Sequence, residues 1–111
     1  MTDREMLELA AKAVGYDTSH PWNAARLLLS PPVDALCIPD VSTGWNPLEH
    51  DGHALRLAVK LNMSVSIHAG HCMACAQYGT MQTETGEDTA AATRRAITRA
   101  AAALQEAKEV V

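Results

Sequence analysis

The residues best equipped for chemistry lie in one short run, His68-Ala-Gly-His71-Cys72-Met-Ala-Cys75. Two imidazoles and two thiols form a set that zinc accepts, and Cys72 and Cys75 have the separation common in zinc sites. A small zinc-binding module using His68, His71, Cys72 and Cys75 is therefore one reading. The same run also reads as a hairpin, and the two readings compete. On paired strands Cys72 turns toward the core, His68 and Cys75 turn the other way, and His71 sits at the tip. Four ligands so placed cannot converge tetrahedrally. Cys37, His50 and His53 are the candidates elsewhere to complete a second half-site. A redox role for the cysteine pair is weaker still, because such motifs sit where a strand runs into a helix N-terminus.

Other candidates are more scattered. His50-Asp51-Gly52-His53 crowds two imidazoles and a carboxylate at a helix start, but acid–base work needs such groups in a cleft with tuned pKa values. The plainer reading makes Asp51 a helix cap with exposed histidines on the first turn. Cys37 has apolar neighbours and no cation to activate it, which suits a core thiol. Arg94, Arg95 and Arg99 form a basic strip on the last helix. No aromatic stacking residues accompany it, so it reads as a solvated face or a contact for an acidic protein rather than a nucleic-acid site. Trp22 and Trp45 are the only tryptophans and are candidates for a protein-binding surface, where tryptophan is enriched. Trp45, beside Asn46 and Pro47, also reads as a lid over the helix that follows. No set of residues converges as a catalytic centre would, which points to a non-enzymatic protein with no cofactor.

The elements that must position these residues are legible in parts. Thr2-Asp-Arg-Glu5 has the spacing of a capping box, Met6, Leu9, Ala10 and Ala13 form one apolar face, and Gly15 ends the helix. Asp51 caps a central helix over 52–61, with Ala54, Leu57, Ala58 and Leu61 inward and Asn62 as its end. Met63, Val65, Ile67 and Ala69 then alternate with Ser64, Ser66 and His68, the period of a half-buried strand. A type II′ turn at Gly70-His71 would pair Ala69 with Cys72, Ile67 with Ala74, Val65 with Ala76 and Met63 with Tyr78. Val65 and Ile67 should then face the helices. A further strand is expected over 80–84. Asp88 starts a long helix over 89–107 whose inner face carries Ala96, Ile97, Ala100, Ala101 and Leu104.

Residues 16–44 are ambiguous. Pro21 suits the first position of a short helix carrying Trp22, Ala25 and Leu29, yet 25–30 also reads as a strand. Ser30-Pro31-Pro32 stops either one, and 33–38 is expected to be a strand near a sheet edge, followed by a loop over 39–44.

Composition bounds the rest. A chain of 111 residues makes one α+β domain over 1–111: a small antiparallel sheet, the 63–78 hairpin plus one or two strands, packed on the N-terminal, central and C-terminal helices. Apolar residues make up 48% of it but aromatics only 4%, so alanine-lined elements should pack closely. The net charge of −4 disfavours a general grip on phosphate backbones. The absence of a long apolar run or a signal peptide, together with three unpaired cysteines, fits a cytoplasmic protein with reduced thiols and no membrane partner.

One resemblance adds context. At Trp45-Asn-Pro-Leu48, Asp51-Gly52, residues 54–61 and residues 91–100, the chain resembles NinX-like accessory proteins of phages and prophages, a family of unknown function with an α/β sandwich of phage type. The N-terminal helix fits the same pattern; residues 16–44 and 68–75 do not. The resemblance brings no catalytic residues. It implies a phage accessory protein that binds a host protein or ribonucleoprotein complex in the bacterial cytoplasm and blocks it, with CRISPR or another defence system as the target.

Overall fold

In the computed structural model, which describes residues 1–39, 41, 44–77 and 79–110, the chain ends and the centre of the sequence supply helices and the region between them a sheet. The first helix, α1 (Asp3–Ala13), has the expected capping box: the Glu5 amide donates to Thr2 Oγ1 and the Thr2 amide to Glu5 Oε2, each at 3.1 Å. At its far end Gly15 takes a φ of +82°, and the Gly15 and Tyr16 amides return to Lys12 O and Ala11 O. These bonds satisfy carbonyls that the helix leaves open. Burial of Met6, Leu7, Ala10 and Ala11 seats α1 along the last helix, α4 (Thr89–Val110).

The last helix is the centre of the molecule. Asp88 Oδ1 accepts the Ala91 amide at 3.0 Å and starts it, and Ala96, Ile97, Ala100 and Ala101 form its buried face as anticipated. Small side chains let its backbone approach both α1 and the sheet, so close packing replaces bulky plugs. The central helix, α3 (Asp51–Lys60), begins one residue earlier than expected. Its cap position is His50, which makes no side-chain cap bond, and Asp51 is the first helical residue. The expected Asp51 cap is thus corrected: its carboxylate instead bonds Arg94 Nη1 at 2.7 Å. Asn62 ends α3 at φ +50°, with the Asn62 and Met63 amides donating to Val59 O and Ala58 O.

Three antiparallel strands, β1 (Ser64–His68), β2 (His71–Cys75) and β3 (Met81–Thr85), lie in the order β1-β2-β3. The hairpin forms, but its turn is Ala69-Gly70 rather than Gly70-His71. His68 opposes His71, Ile67 opposes Cys72 and Val65 opposes Ala74. Gly70, at φ +82°, occupies the second turn position, where a type II turn requires glycine. The expected pairing was therefore off by two residues. A slip of two leaves every side chain on its anticipated face, whereas a slip of one would invert them. Tyr78, expected opposite Met63, lies outside the described residues.

The sheet's inner face carries the buried Cys72 and Ala74, and α4 runs across β2 and β3. Coverage thins toward β1. Ile67 points to the helix side, since it pairs with buried Cys72, yet it is 59% exposed. The expectation that Ile67 is buried against the helices is corrected on this count.

Residues 16–39 contain a short helix, α2 (Pro21–Ala25), with Pro21 at its first position, followed by a 3-10 turn at Arg26–Leu28. The strand expected over 33–38 reduces to one bridge, in which Leu36 and Trp45 exchange backbone bonds of 3.0 and 2.8 Å. Val33 instead donates its amide to Arg26 O, so the segment folds back on the 3-10 turn.

Candidate protein-binding surface

The geometry of the hairpin disperses its thiols and imidazoles. Cys72 faces the helices and is fully buried, while Cys75 lies on the opposite face with Sγ 3.4 Å from Gly79 O. His68 and His71 stack with ring centres 4.6 Å apart, and Ser66 Oγ lies 2.8 Å from His68 Nε2. The sheet therefore separates one thiol from the other three groups. Among the described residues no three His, Cys, Asp or Glu side chains gather as a metal site would need.

His50 and His53 meet edge to face at 5.0 Å. His53 Nδ1 accepts the Asn46 amide at 3.0 Å, which holds the ring neutral with its proton on Nε2 and ties the Trp45–Pro47 turn to α3. Burial, aided by the nearby His50, pushes the His53 pKa below its ordinary value. The cleft beside it, about 600 Å³, is lined by Tyr16, Asp17, Trp45, Arg56 and Lys60 among others. Lys60 Nζ lies 4.6 Å from the Tyr16 ring centre, and Asp17 is held below the usual carboxylate range by bonds from the Ser19 hydroxyl and amide. No serine, threonine or cysteine lines this cleft among the described residues.

Two further candidates serve the fold. Trp45 is only 2% exposed and packs edge to face with Tyr16 at 5.6 Å, so its place is the core and not a binding surface. The basic strip is occupied internally. Arg94 donates to Leu48 O at 2.9 Å and pairs with Asp51. Arg95 lies 3.0 Å from Asp3 and 3.7 Å from Glu84, and Arg99 pairs with Glu84 at 2.5 Å. The three arginines thus join α4 to α3, α1 and β3, while Arg95 and Arg99 keep part of their side chains in solvent.

Trp22 is different. It is 60% exposed, although the chain around it is firmly anchored. His20 Nδ1 accepts the Trp22 amide at 3.1 Å, and the two rings meet edge to face at 5.0 Å. The next residue, Asn23, is 4% exposed and acts as the anchor. Its Oδ1 accepts the Cys37 amide at 2.6 Å, and its Nδ2 donates to Thr18 O at 3.0 Å and Cys37 O at 3.1 Å. Arg4, buried in α1, donates from Nη2 to Asn23 O. Arg26 Nη1 bonds Ala35 O at 2.8 Å, and Gly44 is needed beside it because an added Cβ would stand 2.8 Å from Ala35 Cβ.

On this anchored base the chain displays Leu27, Leu28 and Leu29, with Leu28 88% exposed, and Val33 beyond the prolines. Large apolar side chains concentrated on a short, hydrogen-bonded segment are a recognisable mark of a contact surface. Sequence reasoning found Trp22 but missed the leucines. A signal was present: three consecutive leucines before two prolines fit neither helical nor strand periodicity, so no single element could bury all three.

Comparison of the chain with protein-family models, with curated proteins and with solved structures finds no match.

Proposed function

We propose that this chain is a non-enzymatic binding protein that attaches to a partner protein through the lobe at residues 22–33. The observation that carries this reading is the exposure of Trp22 and Leu28 on a backbone fixed by Asn23, Arg4 and Arg26. A preorganised apolar surface loses little entropy on docking, and an exposed tryptophan is the residue type enriched at interface anchors, with Leu27, Leu28 and Leu29 exposed on the same short segment. The partner must offer an apolar cleft. Following the resemblance to NinX-like phage proteins, we take that partner to be a host protein or ribonucleoprotein complex in the bacterial cell. The outcome of binding is inhibition of host defence, an anti-CRISPR activity in its most specific form.

The test pairs binding with biology. A photo-reactive leucine analogue at position 28 should give one defined adduct in lysate of a host carrying an active CRISPR system, and Trp22→Ser should abolish it. In the same host the wild-type chain should restore phage plaquing, whereas a folded Trp22→Ser/Leu28→Ser variant should not. A double variant that restores plaquing as well as the wild type would remove the lobe from the function. The zinc-module alternative is decided by metal analysis of untagged protein: about one bound zinc per chain, lost in Cys75→Ser, would favour it.

A further inference from the structure

The outer edge of β1 offers an interaction of a different kind. In antiparallel pairs, residues alternate between exchanging backbone bonds with their neighbour and turning those groups away. The two-residue turn makes His68 and His71 a bonded pair, so Ser66 with Met73 and Ser64 with Cys75 are bonded as well. The N–H and C=O of Val65 and Ile67 therefore point outward, along an edge with no neighbouring strand among the described residues. Nothing blunts this edge: Ser64-Val65-Ser66-Ile67-His68 contains no lysine, proline or acid, the usual guards of an exposed strand. On the helix side of the edge lies an apolar groove of about 480 Å³ between α3, α4 and β1, lined by Ala54, Leu55, Ala58, Val65, Ile67 and Ile97 among others. Leu55 and Val59, one turn apart on α3, are both exposed beside it.

We infer that this edge joins two copies of the chain, β1 against β1, about a two-fold axis through Ser66. The strand is self-complementary about that residue. An antiparallel copy centred on Ser66 sets Val65 opposite the second copy's Ile67, so the outward backbone groups of each copy meet in bonded pairs. Centring on Val65 would set Ile67 opposite Met63, whose amide already bonds Ala58 O, and centring on Ile67 would set Val65 opposite Ala69 in the turn. The same register places Val65 and Ile67 side by side over the groove, and the axis carries Leu55 and Val59 of both copies to one side of a continuous six-stranded sheet. Charge does not oppose the contact. Although each chain carries −4, the charged groups lining the groove are Asp51 and Arg94, already paired at 2.7 Å. The result is an isologous interface, the commonest form of homodimer.

Sedimentation or light scattering of the full chain should give a mass of about 24 kDa, twice the 11.9 kDa chain, falling to the single-chain value on dilution. The amides of Val65 and Ile67 should exchange at least ~10-fold more slowly in the dimer than in the diluted protein, because they are free only in the monomer. Ile67→Lys should stay monomeric with an unchanged far-UV spectrum, and Trp22→Ser should dimerise normally, which separates this interface from the lobe. A wild-type chain that remains monomeric up to ~1 mM would overturn the inference. So would a dimer in which the Val65 and Ile67 amides exchange at a rate independent of concentration; that reading needs no variant to fold.

Discussion

Asn23→Ala tests the anchoring of the lobe most directly. The substitution removes one acceptor and both donors from a site that is almost wholly buried, leaving the Cys37 amide, the Cys37 carbonyl and the Thr18 carbonyl without their partner. An unsatisfied buried polar group costs about 1–3 kcal/mol, and the smaller residue opens room for water to recover part of that. The net loss should be about 3 kcal/mol, a fall in Tm of roughly 10–15 °C for a domain of this size. Asn23→Asp should be no better: it can still accept from the Cys37 amide but faces two carbonyls with a charge and no donor. Urea unfolding gives the global figure, and hydrogen exchange at Leu27–Leu29 reports whether the lobe loosens first. A loss under about 1 kcal/mol, with exchange at the lobe unchanged, would refute the claim that Asn23 holds this segment in place.

Trp45→Ala should cost about 3–5 kcal/mol, read by denaturant unfolding, since it empties a buried aromatic site beside Tyr16. Thr2→Ala removes half of the capping box and should cost about 1 kcal/mol by the same assay. Trp22→Ala, at an exposed side chain, should change stability by less than about 0.5 kcal/mol while abolishing partner capture. His53 makes stability depend on pH. Its folded pKa lies below the ordinary 6.5, so the unfolded chain binds the proton first as pH falls. The stabilisation is complete above pH 6.5 and is lost as pH drops through the folded value, when protonation of Nδ1 breaks the bond from Asn46. His53→Gln, which keeps an acceptor but does not titrate, should flatten the stability profile below pH 6.5.

Local sequence and interaction between elements divided the information unevenly. The helix starts at Thr2 and Asp88, the stops at Gly15 and Asn62, and the alternation over 63–69 were legible because each depends on a few neighbouring residues and the geometry of one element. The same holds for the hairpin's faces, although its turn was placed one residue late: sequence periodicity specifies parity, and turn conformation specifies register. Residues 16–39 resisted because Asn23 substitutes for a strand partner, bonding Cys37 from fourteen residues away, and no periodicity encodes such a contact. Tertiary structure alone decided which charges and which tryptophan are available. Arg94, Arg95 and Arg99 look alike along the helix, yet acids on α3, α1 and β3 engage them, and Trp45 enters the core while Trp22 stays in solvent. A residue's type states what it can bind; only the packing of distant elements determines whether that capacity is already used within the chain.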